Sequence, residues 1–364
     1  MALETDAMVP MLETALRGAG VLPRGAIAEI AARRDPTFTS ASYHVAVRYR
    51  GDAPPDAPRA LLLKRHHAHA GAREVALYRL ARREEHAPLP LLPCYEATYD
   101  PDTGASRLLL ADLAGSHRPV ATTARLMAGE AMPSRQTLRR LLRALACFHA
   151  HWWNDPRLGS DDTPFELHPW YGSAALFEAT AQRWRREWRQ FRGSVGAGIP
   201  HSWAARYERA LDRLPQLWER YLAPRIEERR FLALAHGNAT FAAFLAPRAA
   251  GRGPLPNGGH SRVYLVDLEA VCASFAAFDL ATLLPTFWTP AQQQLSTGYA
   301  LRHYHRALLA QGVRGYTLRQ LHDDYRLMRY LLRFDAVSNA LQGASESYWR
   351  VKMGNLLGGQ RPAA

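Results

Sequence analysis

Cysteine is scarce in the 364-residue chain, which contains only Cys94, Cys147 and Cys272. Their wide separation and odd number exclude both a disulfide framework and a paired CxxC zinc site. A reducing compartment is therefore expected, and the cytoplasm fits best.

Long apolar runs are also absent. No uninterrupted stretch reaches the roughly 18 residues that a membrane-spanning helix needs. The first 20 residues carry acidic side chains where a signal peptide carries basic ones. We therefore expect a soluble protein with no membrane segment.

Acidic residues are few relative to basic ones, 33 against 46, which leaves a formal net charge of +13. Such a charge attracts nucleic acid, anionic membranes or acidic proteins. No recognisable nucleic-acid-binding motif accompanies it, and Arg-rich stretches such as 183–192 are typical of solvated helix faces. We expect no nucleic acid as partner, and the charge disfavours a polycationic substrate.

The length exceeds that of a usual single core, so two lobes are expected. Residues 1–113 are predicted to form a β-rich N-lobe, with an N-terminal helix at 4–20, an antiparallel sheet and one helix at 70–85. Residues 114–364 are predicted to form a helical C-lobe. Within the C-lobe, two short apolar segments at 231–236 and 262–269 predict a small hairpin, in the region 231–285, around a Gly/Pro-rich loop.

Most of the candidate functional residues lie in two segments, HGNATFAAFL at 236–245 and VDLEAVCASFAAFDLA at 266–281. They resemble the catalytic loop and metal-binding segment of the aminoglycoside phosphotransferase and choline kinase family. The resemblance implies an α+β, two-lobed protein-kinase-like fold over nearly the whole chain. It also implies ATP or GTP with Mg²⁺ as cofactors, and phosphoryl transfer to a hydroxyl group. The positions that match the family pattern are His236, Gly237, Leu245, Asp267, Glu269, Asp279, Leu280 and Ala281.

The N-terminal region supplies the other parts of a kinase site. In such a site a strand Lys neutralises nucleotide phosphates and a helix Glu holds that Lys in place. Lys64 and Glu74 fit these two roles, and we predict that they pair. Ser40 and Ser42 stand where the phosphate-covering loop belongs, and Asp112 falls in the expected hinge that would meet adenine.

The catalytic loop departs from the family pattern at two positions. Asn238 stands where the catalytic Asp is expected, and a neutral amide cannot accept the proton of a substrate hydroxyl. Ala243 stands where an Asn would bind the second magnesium, and a methyl group offers no ligand. Asp267 remains as the metal ligand, and Glu269 is the nearby carboxylate that could substitute for the missing Asn.

Three interpretations follow from these departures. The chain is a pseudokinase that binds nucleotide with weakened or lost catalysis, or it transfers phosphate with Glu269, His236 or a substrate group in the role of base. Alternatively, the sequence was mutated to trap a substrate, which the simultaneous loss of two residues disfavours. His236 and Asp279 are each interpreted first as structural braces of the loop.

A hypothesis of a different class is a non-enzymatic scaffold that holds an acidic peptide or a companion enzyme in the cleft of the fold. An active enzyme would instead take a hydroxyl-bearing small molecule or peptide, and product formation separates the two hypotheses. The histidines at 66, 67 and 69 suggest a metal site at first, but they lack Cys or carboxylates at ligand spacing. We therefore expect a solvated strand end there.

Overall fold

The structure is a computed structural model that describes residues 5–36, 40–66, 69, 71–84, 89–128, 130, 132–160, 165–194, 198–248 and 262–357. The chain divides into two compact units. The first comprises Met1–Arg118 and Leu245–Ala270, and the second comprises Pro119–Phe244 and Val271–Ala364. Among the described helices, none combines the length and the apolar composition that crossing a bilayer would require.

The first unit is built on a five-stranded antiparallel sheet. The elements are α1 (Thr5–Gly18), β1 (Ala26–Pro36), β2 (Ser40–Arg50), β3 (Ala60–His66), α2 (Ala72–Arg83), β4 (Cys94–Tyr99) and β5 (Ser106–Ala111). The strand order in the sheet is β1-β2-β3-β5-β4. Along β2 buried residues alternate with more exposed ones, and its buried side chains Tyr43, Val45 and Val47 join those of α1 in one core.

The first strand, β1, was not predicted from the sequence. Its two buried isoleucines, Ile27 and Ile30, are three residues apart, which breaks the alternation by which a strand is recognised. A β-bulge between Ile27 and Glu29 accounts for this spacing, because the extra residue shifts the following side chains to the opposite face.

The hairpin expected around the Gly/Pro-rich loop does not form between the two predicted segments. Strand β7 (Leu232–Ala235) pairs instead with β10 (Cys272–Phe275), while β9 (Tyr264–Leu265) is next to β8 (Phe244–Pro247). The three-stranded sheet has the order β6-β8-β9, where β6 is His117–Pro119. The segments at 231–236 and 262–269, predicted to pair with each other, therefore each pair with a different strand. Most of the Gly/Pro-rich loop lies outside the described residues.

The second unit is mainly helical. Its core is rich in aromatic rings, for example Trp184 stacked on Phe334 with a centroid separation of 4.4 Å. The helices are α3 (Thr123–Met127), α4 (Arg135–His151), α5 (Ala174–Ser194), α6 (His201–Asp212), α7 (Leu214–Leu217), α8 (Ala223–Glu227), α9 (Ala277–Leu283), α10 (Pro290–Ala310), α11 (Leu318–Leu331), α12 (Asp335–Leu341) and α13 (Glu346–Leu357).

Candidate functional site

Lysine is so rare in this chain that its two positions are informative. The sequence contains Lys64 and Lys352 against 44 arginines, and both lysines are buried. Lys352 braces the second unit through Asp335 and Asn339. Lys64 lies on β3, and its Nζ donates to Glu74 Oε2 at 2.8 Å. The predicted Lys64–Glu74 pair is therefore present.

Two further carboxylates surround the Lys64 ammonium. Its Nζ lies 2.9 Å from Glu269 Oε1 and 3.3 Å from Asp267 Oδ1. Burial alone would lower the pKa of Lys64, but the carboxylates of Glu74, Asp267 and Glu269 together raise it well above its ordinary value. The Lys64 side chain is therefore positively charged at neutral pH. Such a charge suits it to bind phosphate.

Glu74 connects Lys64 to the segment that carries the other two acids. It lies in the first turn of α2 and is 1% exposed. One carboxylate oxygen accepts from Lys64, while Oε1 accepts from the backbone N–H of Leu268 at 3.3 Å. This second bond holds residues 267–269 against the strand Lys, so that three sequence-distant elements meet at one point within the first unit.

Asp267 combines an exposed carboxylate with a left-handed backbone conformation. Its φ is +65°, in the left-handed region that Asp adopts more readily than most residues. Its side chain is 59% exposed, whereas that of Glu269 is 17% exposed. Asp267 therefore presents an accessible carboxylate beside the Lys64 ammonium, and oxygen ligands of this kind suit Mg²⁺.

His66 corrects the expectation of a solvated strand end. It is 1% exposed, because it is two residues after Lys64 on β3 and shares its buried face. Its Nε2 lies 2.7 Å from Glu269 Oε1, and its Nδ1 lies 3.0 Å from Ser106 Oγ. Glu269 is consequently held between His66 and Lys64. His67 lies outside the described residues.

The other residues predicted to bind the nucleotide lie on or beside the same sheet. Ser42 is paired with Lys64 and Ser40 with His66 along the β2–β3 register, while residues 37–39 of the expected phosphate-covering loop lie outside the described residues. The Asp112 carboxylate bonds His44 Nδ1 at 2.6 Å, and the backbone N–H of Asp112 donates to Ala60 O. Asp112 therefore joins the end of β5 to neighbouring strands.

The Asp112 contact belongs to a three-residue arrangement that sequence reasoning missed. His44 Nε2 also lies 2.9 Å from Asp35 Oδ2, so one imidazole joins two carboxylates. The link ties β1, β2 and the segment after β5 together. No local pattern indicates it, because Asp112 is 68 residues from His44 in the sequence and Asp35 lies on β1, which was not predicted.

The loop that follows β7 in the second unit is braced by a buried carboxylate. Asp279, in the first turn of α9, accepts from the backbone N–H groups of His236 at 2.6 Å and Gly237 at 3.0 Å. It also bonds His149 Nε2 at 2.9 Å, and His149 Nδ1 bonds Tyr304 Oη. Burial would raise the pKa of Asp279, but its bond to His149 and the nearby His236 keep it below the ordinary value. The interpretation of Asp279 as a brace is confirmed.

We expect Asp279→Ala to lower the free energy of unfolding by about 3–5 kcal/mol, because it leaves His149 and two backbone donors without their buried partner. Chemical denaturation would measure the loss. Since the Asp279 pKa is lowered on folding, its contribution is complete above the ordinary carboxyl pKa of 3.8 and is lost as the pH falls through the lower folded value. Asp323→Ala, which breaks only an exposed pair with Arg326, is the control. A loss no larger than that of the control would contradict the brace.

The two departures from the family pattern occupy different surroundings. His236 is fully buried, and its Nδ1 accepts from the backbone N–H of Asn238 at 3.3 Å. The Asn238 side chain is exposed, while Ala243 is 5% exposed at the end of a short 3₁₀ turn. His236 thus supports the loop backbone, and Asn238 is the exposed polar side chain in this loop.

Comparison with known proteins identifies the fold. No family model and no curated protein matches the sequence. Among solved structures, an ethanolamine kinase of Plasmodium vivax superposes with a TM-score of 0.52 at 9% identity, covering 90% of this chain and 82% of that one. A thermostable mutant of an aminoglycoside phosphotransferase, in ternary complex with AMP-PNP and hygromycin B, gives 0.50 at 11% identity, covering 91% and 92%. The chain therefore has a protein-kinase-like fold.

Proposed function

We propose that this kinase-fold chain binds a nucleoside triphosphate through Lys64 and Asp267 and transfers its phosphoryl group slowly or not at all. The observation that carries the proposal is the buried Lys64–Glu74 ion pair, in a chain that has only one other lysine. A guanidinium could balance the same carboxylates, as arginines do elsewhere in this protein. A lysine at this position supports a role that needs a compact ammonium, such as binding nucleotide phosphates.

The metal ligands support one magnesium ion better than two. Asp267 offers an exposed carboxylate next to Lys64, whereas both Lys64 and His66 already contact Glu269. Ala243 supplies no ligand at the position where the family pattern has Asn. We infer that Asp267 would hold one Mg²⁺, which would supply positive charge to neutralise the nucleotide phosphates. ATP or GTP fits this arrangement.

Impaired transfer follows from the chemistry of the loop residues. General acid–base assistance contributes about 10²–10⁴ in rate, and the Asn238 amide cannot accept a proton from an acceptor hydroxyl. Glu269, which could replace the base, is held by an ammonium and an imidazole. Both contacts engage the Glu269 carboxylate, so it is less available to an acceptor hydroxyl. The proposed acceptor is a hydroxyl-bearing small molecule, the class to which ethanolamine and hygromycin B of the two solved neighbours belong.

Removal of the proposed metal ligand is the first test. In the unaltered chain, Mg²⁺ is expected to raise nucleotide affinity at least about tenfold, or 1.4 kcal/mol. Asp267→Ala should abolish this dependence on magnesium. Titration calorimetry with ATP and with GTP, each with Mg²⁺ and with EDTA, measures it. Asp102→Ala, an exposed carboxylate in the same unit, is the matched control.

The outcomes separate the candidate functions. An unchanged magnesium dependence in Asp267→Ala would place the metal elsewhere. No saturable nucleotide binding by the unaltered chain would remove the proposed function and favour the non-enzymatic hypothesis, in which the fold holds an acidic peptide or companion protein. Pull-down with acidic peptides would then be the next measurement.

A further inference from the structure

Three arginines of the second unit converge on the last turn of α13. Two of them come from α11 and the residues just after it, and the third comes from α6. Each donates to a carbonyl that the end of the helix leaves without an intrahelical partner. The contacts are Arg329 Nη2 to Asn355 O at 3.2 Å, Arg333 Nε to Leu356 O at 3.3 Å, and Arg206 Nη1 to Leu357 O.

These guanidinium groups have no acidic partner among the described residues. Arg329 is only 4% exposed, and its Nε is buried without a hydrogen-bond partner. A guanidinium remains charged in proteins, and buried charges are normally paired. The carboxyl end of α13 offers the equivalent of about half a negative charge against three positive ones. Within the part of the chain that the structure describes, the positive charge is therefore largely uncompensated.

The electrostatics of Arg333 point the same way. Burial lowers the pKa of Arg333 to about 10. The Tyr330 phenol opposes this shift, whereas the positive charges of Arg329, Arg206 and Arg213 lower the pKa further. Arg213, which directly follows α6, is exposed, and its charge is among those that lower the Arg333 pKa. Asp212, next to it in the chain, makes no ion pair with Arg206, Arg329 or Arg333 in the described part of the structure. No anion among the described residues balances these three charges.

We propose that Arg206, Arg329 and Arg333 form an anion-binding site for a ligand that carries a phosphate or a carboxylate. Guanidinium groups bind both anions through paired N–H donors. Arg206 and Arg333 are each partly exposed and use one nitrogen on a helix carbonyl, which leaves their other donors for the ligand. These arginines lie in the second unit, whereas Lys64 lies in the first.

The test is a titration with inorganic phosphate and, separately, with succinate, at constant ionic strength set with chloride. The unaltered chain is expected to bind at least one of the two saturably, and the one that binds identifies the ligand class. The double variant Arg206→Gln, Arg333→Gln should lose affinity at least tenfold. Arg326→Gln is the control on α11, because Arg326 is exposed and pairs only with Asp323. Arg48→Gln, which breaks only an exposed pair with Glu29 in the first unit, should bind the same anion as before.

Thermal unfolding distinguishes an anion site from a purely structural helix cap. In anion-poor buffer Arg333→Gln should unfold at the same or a higher temperature than the unaltered chain, because it removes an uncompensated charge. Phosphate or succinate should raise Tm in the unaltered chain and have little effect on the variant. A lower Tm for Arg333→Gln together with an equal response of both proteins, or no saturable binding to the unaltered chain, would overturn the proposal. Arg206→Gln repeats the measurement should Arg333→Gln fold poorly.

Discussion

Asn238→Asp combined with Ala243→Asn is expected to raise ATP turnover by about 10²–10⁴-fold, the contribution of general acid–base assistance. The Asp would accept the proton of the acceptor hydroxyl, and the Asn would supply an oxygen ligand for a second magnesium. The Lys64, Glu74 and Asp267 arrangement that we propose to bind nucleotide needs no change. Coupled measurement of ADP release, with and without an alcohol acceptor, gives the result.

The single variants separate the two contributions. Asn238 is exposed, so its replacement by Asp should leave folding intact and serves as the safer variant. Ala243 is buried, and an Asn there must fit without disturbing the turn. If a folded Asn238→Asp variant binds Mg-nucleotide but hydrolyses it no faster than the unaltered chain, the impairment lies outside these two residues.

Lys64→Met is expected to weaken nucleotide binding by about 2–5 kcal/mol, the range for truncating one partner of a buried, hydrogen-bonded charge pair. This corresponds to roughly 1.5 to 3.5 orders of magnitude in Kd. The variant removes the ammonium that we propose to contact the phosphates and leaves the Glu74 carboxylate unpaired. Calorimetric titration with ATP and Mg²⁺ measures the change.

Two further variants make the Lys64 result interpretable. Lys64→Met with Glu74→Gln removes both charges, so that the fold no longer contains an unpaired buried carboxylate. Arg65→Gln removes a neighbouring positive charge on the opposite face of the same strand. Equal losses in Arg65→Gln and Lys64→Met would show that net charge, rather than the Lys64 site, governs binding.

The sequence predicted those parts of the site that depend on local pattern. Lys64 on a strand and Glu74 in the next helix could be placed because each element has its own periodicity, and the Lys64–Glu74 pair is present. Asp279 was correctly interpreted as a brace, since its spacing from the HG pair matches a known pattern. The scarcity of lysine is a composition signal that would have strengthened the argument for Lys64 further.

Contacts between distant segments were not predictable in the same way. His66 reads as part of an exposed histidine cluster, yet it is buried because Glu269, 203 residues later, and Ser106 lie against it. Strand β7 pairs with β10 rather than with the nearer segment at 262–269. A β-bulge concealed β1 by breaking its alternation. Each of these features is set by tertiary packing, which no local window of sequence records.

The measurement that tests the central claim most directly is phosphoryl transfer by the unaltered chain. ATP and Mg²⁺ would be incubated with a panel of hydroxyl-bearing acceptors, including ethanolamine and hygromycin B, and products followed by mass spectrometry alongside a nucleotide titration. We predict saturable nucleotide binding with turnover far below the roughly 1–100 s⁻¹ typical of kinases. Transfer to any acceptor within that range would contradict the account, and Glu269 and His236 would then be the first residues to mutate.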